Sequence, residues 1–125
     1  RGAGIARADG VAVNVSNYIA TPVITEWAQR LVQVVAVPDK RLGVVIDTSR
    51  NGQGAPPAEV KGDARWCNPA GRGLGKRPTT ATGVAGVDAY LWIKNVGESD
   101  GDCFGNPPAG TFNVPKALEL VRNAE

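Results

Sequence analysis

Titratable and hydrogen-bonding residues gather at three places in the 125-residue chain, each at the end of an apolar, largely β-branched run. Asn14, Ser16, Asn17 and Tyr18 close or follow the run 11–16. Asp47, Thr48, Ser49, Arg50 and Asn51 close or follow 42–47, and Lys94, Glu98 and Asp100 close or follow 87–94. Every cluster holds groups able to bind a polar ligand or to titrate. A missing residue type bounds their chemistry: without histidine, neither a Ser-His-Asp nor a Cys-His relay can be assembled, nor a zinc site built on imidazole. Carboxylates remain. Glu98 and Asp100 do not form an acid/base pair by themselves, because they lie two residues apart between Gly97 and Gly101 and nothing in the sequence pushes their proton affinities apart.

The elements that would position these clusters can be read from the pattern. Residues 11–16 and 42–47 read as strands, and the unbroken apolar run of the second suits a strand covered on both faces. Between them, Thr21 and Pro22 read as a helix start, threonine capping and proline in the first turn. Ile24, Trp27, Ala28, Leu31, Val32 and Val35 then recur at helical spacing, with Glu26, Gln29, Arg30 and Gln33 toward water, until Pro38 ends the helix. Residues 48–86 are rich in Gly, Pro and Thr and have no periodicity, a length that is either functional or disordered. A third strand is predicted over 87–94 and a second irregular stretch over 95–113. Pro115 opens a short helix with Val114, Ala117, Leu118 and Val121 on one face. The order predicts an α/β fold with parallel strands and right-handed crossovers. In such sheets function sits at the carboxyl ends of the strands, so the three clusters would share one face. The alternative is that each is an ordinary polar loop. Three strands and two helices make a thin core for this length, and missing strands are expected.

Cys67 and Cys103 lack a C-x-x-C partner, so they fit one disulfide of a secreted protein or two buried thiols of a cytosolic one. We take the disulfide as the expected state. It would staple the two long loops, contribute roughly 3–4 kcal/mol on a chain-entropy estimate, and bring Trp66 toward Glu98 and Asp100. Trp66 either caps a core or presents its ring to a ligand. No metal is expected. Fourteen basic against twelve acidic side chains give a net charge of +2, scattered too evenly for a nucleic-acid or anionic-membrane footprint. No apolar run approaches the roughly 20 residues of a membrane helix. The glycines around Gly71 and Gly73 complete no phosphate loop, because Ala70 and Lys76 stand where further glycines are needed. The Asn14-Val15-Ser16 glycosylation triplet falls inside a predicted strand and is expected to be unused. The chain starts at Arg1 and contains no methionine, so it is expected to be a processed or truncated product.

Four blocks, V-N-V-S-N-Y (13–18), I-D-T-S-R-N-G (46–52), W-C-N-P (66–69) and L-W-I-K-N-V-G-E-S-D-G (91–101), resemble the C-terminal half of glycoside hydrolase family 6. These are secreted β-1,4-glucanases of bacteria and fungi, the actinobacterial endoglucanases being closest in character. The resemblance runs from about Arg1 to the final helix. It implies a partial, distorted (β/α) barrel with its cleft at the carboxyl ends of parallel strands, residues 1–125 forming the C-terminal portion of the catalytic domain and the N-terminal portion absent. It implies an endo-acting, secreted cellulase that cleaves β-1,4-glucosidic bonds with inversion and needs no cofactor. By resemblance, Asp100 is the catalytic base and Arg50 pairs with it, while Asn17, Trp66, Arg72, Lys94 and Glu98 contact a β-glucan or cello-oligosaccharide. The family's general acid, an aspartate in an E-P-D-like segment, has no counterpart in these residues. The chain would then supply the base and sugar-binding side of the cleft, with the N-terminal half or a second copy as its protein partner. The alternative is a non-catalytic glucan-binding fragment.

Overall fold

Gly10–Val13 form strand β1, Thr21–Val34 helix α1, Gly43–Asp47 strand β2, Val87–Leu91 strand β3 and Val114–Arg122 helix α2, with short 3-10 turns at Ile5–Arg7, Gly62–Arg65 and Cys103–Gly105. This computed structural model describes residues 4–125; Arg1, where the resemblance begins, lies outside them. The strands form one parallel sheet in the order β1-β2-β3. β2 is central, and its Val44 and Ile46 are fully buried, each such side chain contributing about 1.5–3 kcal/mol by leaving water. α1, the crossover between β1 and β2, lays Ile24 and Ala28 on Val13, Val44 and Ile46, and Val87 and Tyr90 of β3 complete the core.

The register sets the level of the functional face. Val13 lies opposite Ile46, Ile46 opposite Tyr90, and Asp47 opposite Leu91, so the three parallel strands end together and their polar clusters leave the sheet side by side. The first cluster begins earlier than predicted. β1 stops at Val13 because Asn14 and Ser16 adopt left-handed φ values of 60° and 56°, which a strand does not accommodate. The Asn14 carboxamide replaces the lost ladder: it donates to the carbonyls of Ile19 and Asp47 and accepts the Ile19 N–H. The glycosylation triplet therefore lies in a turn, with its amide engaged. β3 likewise ends at Leu91, short of the predicted Lys94.

Both helices depart from the predicted faces. Ala20, not Thr21, occupies the cap of α1, and the Thr21 hydroxyl instead accepts from Asn51 at 3.1 Å. Trp27 and Val23 stand exposed on α1, so its buried stripe is narrower than the apolar periodicity. In α2 the buried residue is Leu120, while Val114, Leu118 and Val121 of the predicted apolar face are exposed. Its cap is Asn113, whose side chain accepts the Lys116 N–H at 3.3 Å. The segment 48–86 is tied down by backbone bonds from Gly52 to Gly73, Gly75 to Thr48 and Leu74 to Leu120, and Thr79 forms an antiparallel bridge with Tyr90 on the outer edge of β3. Among the described residues nothing pairs with the outer edge of β1. There, Val11, Val13, Val23, Trp27 and Leu31 line an apolar hollow of about 490 Å³.

Candidate active site

Asp100 sits where the three strand ends meet, its side chain 11% exposed. Arg50, from the segment leaving β2, reaches both carboxylate oxygens through Nη1, at 2.8 and 2.7 Å. The guanidinium is itself anchored, because Nε and Nη2 donate to the Ser16 carbonyl beyond β1, and it lies 4.4 Å over the Tyr18 ring. Oδ2 of Asp100 also receives the Asn68 N–H at 3.0 Å and faces the Tyr18 hydroxyl at 3.1 Å. Oδ1 has the Lys94 ammonium at 3.9 Å, and Lys94 in turn lies 3.6 Å from Glu98. Burial pushes the Asp100 carboxyl up, but the Arg50 bonds, the Asn68 N–H, the Arg50 charge and the Tyr18 hydroxyl together hold it below its ordinary 3.8. Burial pushes the Tyr18 phenol above its ordinary 10, so it stays protonated as a donor.

Asn68 is held from the other side by the Cys67–Cys103 disulfide, whose Cα atoms are 6.4 Å apart. Its left-handed backbone, φ 49°, turns the carboxamide back to accept the Asp100 N–H and to donate to Ser99 and Gly101. Neighbouring Trp66 is 56% exposed, which removes the reading of it as a core cap. Trp66, Asn17, Tyr18, Arg50 and Asp100 line one open cleft of about 550 Å³. Lys94, Glu98 and Arg72 line an adjoining crevice that shares Tyr18 and Arg50 and holds about 20 Å³, room for one water and not for a sugar ring. The Arg72 guanidinium is turned to the carbonyls of Gly54 and Ala70. The predicted residues therefore divide: Asn17 and Trp66 share the wide cleft with Asp100, while Arg72 is the farthest committed to backbone.

Residues singled out only loosely by sequence complete the site. Tyr18 and Asn68 belong to the quoted blocks yet carried no assigned role. Asp47 is 1% exposed and accepts four backbone N–H groups, from Ser16, Ser49, Ile93 and Lys94. An aspartate closing a buried apolar strand was the signal available for it, since an acid there must be satisfied by several donors. Among the described residues no group of histidine, cysteine and acidic side chains is arranged to hold a metal.

The sequence profile of Glycosyl hydrolases family 6 matches residues 1–124. The chain belongs to glycosyl hydrolase family 6. Endoglucanase A of Cellulomonas fimi is 44% identical over 124 residues, covering 97% of this chain and 24% of that protein. Endoglucanase A of Thermobispora bispora is 45% identical over 125 residues, covering 99% and 25%. The chain thus spans about a quarter of the length of these curated family 6 relatives. An endoglucanase of Mycobacterium tuberculosis, solved in complex with methyl-cellobiosyl-4-deoxy-4-thio-β-D-cellobioside, superposes with a TM-score of 0.85 at 45% identity, over 96% of this chain and 39% of that one. Cellobiohydrolase II of Humicola insolens, solved with glucose and cellotetraose, superposes at 0.74 and 29% identity, over 98% and 42%.

Proposed function

We propose that this chain is the base and sugar-binding side of a secreted, endo-acting cellulase that cleaves β-1,4-glucosidic bonds with inversion. Its sheet would be one sector of a distorted (β/α) barrel. The observation that carries the reading is the Asp100 carboxylate, kept ionised by Arg50 at the strand ends and opening on the same cleft as the exposed Trp66 ring. Inversion needs a carboxylate base facing an acid about 6.5–9.5 Å away, with a water between base and anomeric carbon. Asp100 is the base, and the acid comes from the part of the domain outside these residues. A carboxylate held below its ordinary proton affinity is a weak base, so the proton of the attacking water reaches it through a second water. Oδ1 is the oxygen that receives it, because Arg50 bonds both oxygens but Oδ2 alone also carries the Asn68 N–H and the Tyr18 hydroxyl. Trp66 stacks on a glucose ring and Asn17 binds hydroxyls in the open cleft, while Lys94 and Glu98 reach sugar hydroxyls only from the rim of the narrow crevice, and Arg72 contacts sugar only by leaving the Gly54 and Ala70 carbonyls.

The natural partners are a β-glucan and the N-terminal portion of the domain, which would cover the open β1 edge. Reducing-sugar release from a soluble cellulose derivative, with that portion supplied, tests the reading. Asp100→Ala should lower the rate about 10²–10⁴-fold, the usual contribution of a positioned base. An undiminished rate would remove Asp100 from the chemistry. Cello-oligosaccharide binding with no release under any complementation would instead favour the non-catalytic glucan-binding fragment, the reading suggested by the absence of an E-P-D segment.

A further inference from the structure

Among the described residues, the Asp47 carboxylate is the one deeply buried acid that this chemistry does not use. Among the described residues it has no salt bridge; its charge is met by backbone amides alone. Oδ1 accepts from Ser49 at 2.9 Å and Ile93 at 3.3 Å, and Oδ2 from Ser16 at 2.9 Å and Lys94 at 3.1 Å. These donors come from all three strand ends: beyond β1, beyond β2 and beyond β3. Holding one turn would need one or two acceptors. Gathering four donors from three segments needs both oxygens of an ionised carboxylate, because an asparagine would turn an NH₂ group against two of the donors.

Three of the four amides so held lead to a partner of Asp100. The Ser16 carbonyl receives the Arg50 guanidinium, Ser49 immediately precedes Arg50, and Lys94 carries the ammonium facing Asp100 Oδ1. We propose that Asp47 is a positioning residue for Asp100: its carboxylate latches the three strand ends together and so fixes Arg50 and Lys94 against the base. The inference rests on the reading of Asp100 as the base, and it adds a residue that touches neither sugar nor reacting atoms.

The test is Asp47→Asn, with the Asp100 carboxyl carbon followed by NMR through its titration and folding checked by circular dichroism and urea unfolding. The groups facing Asp100 are Arg50, Lys94, Tyr18 and the Asn68 N–H, so its midpoint reports whether the two cations remain in place. The expected result is a folded variant whose Asp100 midpoint moves up. Asp88→Asn, an exposed aspartate paired with Arg41, should leave it unmoved. A folded Asp47→Asn with an unmoved midpoint overturns the proposal, since a residue that only filled space would give that result. Should Asp47→Asn fail to fold, amide exchange in the parent chain decides: the N–H groups of Ser16, Ser49, Ile93 and Lys94 exchanging only with the β2 core support the latch, and free exchange of Ser16 or Lys94 overturns it. Failure of the base itself is separable, because undiminished hydrolysis by Asp100→Ala would leave the titration result standing.

Discussion

The carboxyl ends of the strands and the outer flank of β1 and α1 differ in how completely their own residues account for them. At the strand ends, polar groups from distant segments satisfy one another: Arg50 spans Ser16 and Asp100, Asp47 gathers four amides, and Asn68 is fixed between a disulfide and Asp100. On the β1 flank, Val23 and Trp27 are more than half exposed beside an apolar hollow and an unpaired strand edge. Such an edge is a template for pairing with another strand. The contrast shows that a polar network can be satisfied locally even where the apolar surface behind it is left open. Polar networks are closed by specific partners, whereas an apolar surface is satisfied by any cover of the right shape.

The sharpest way to break this comparison is Arg50→Ala. It leaves a carboxylate with little solvent beside it, without its bonded cation and with only the Lys94 ammonium at 3.9 Å, so unfolding stability in urea should fall by about 3 kcal/mol. The pH dependence carries a sign. Because the folded Asp100 carboxyl lies below its ordinary 3.8, the parent chain holds this stability above that pH and loses it as pH falls through the folded midpoint. In Arg50→Ala that acid-side slope should flatten. A loss below about 1 kcal/mol with an unchanged slope would mean that the strand ends are not fixed by the pair. Next in size is the paired substitution of Cys67→Ser and Cys103→Ser. The bridge closes a separation of 36 residues, so its removal should cost about 2–4 kcal/mol, read as a shift of the urea midpoint between oxidised parent and variant. The smallest effect compares the two exposed tryptophans directly. Trp66→Ala should weaken cello-oligosaccharide binding about tenfold, near 1.4 kcal/mol, with unfolding almost unchanged. Trp27→Lys should leave that binding alone and reduce self-association in sedimentation. Exchanged outcomes would place the ligand on the β1 flank.

What could be read from the sequence was set by local chemistry. The unbroken run through Val44, Val45 and Ile46 announced a strand buried on both faces, and the alternation of strand and helix announced parallel pairing with all three clusters at one end. The four sequence blocks led to the family. The rest was hidden for identifiable reasons. The left-handed turns at Asn14, Ser16 and Asn68 redirect side chains by an amount that residue order does not record, and those turns bring Tyr18 and Asn68 onto Asp100. The face of α2 was misread because Val114, Leu118 and Val121 form the more apolar stripe, while its contact is made by Leu120 through the Leu74 segment. Asp47 stood in plain view at the end of β2, but its importance lies in four amides from positions up to 47 residues away.

The Tyr18 hydroxyl stands 3.1 Å from Asp100 Oδ2 and 3.1 Å from the Trp66 carbonyl. A phenol has one hydrogen, so it serves one of these acceptors at a time. When the hydrogen points at Asp100, the carboxylate is held in its charged form by one more donor. When it swings to the Trp66 carbonyl, the Asp100 carboxyl loses that donor and its proton affinity rises. The Trp66 backbone carbonyl and the Asp100 carboxylate therefore share a single hydrogen, and whatever pins that stretch of backbone sets how many donors the carboxylate keeps.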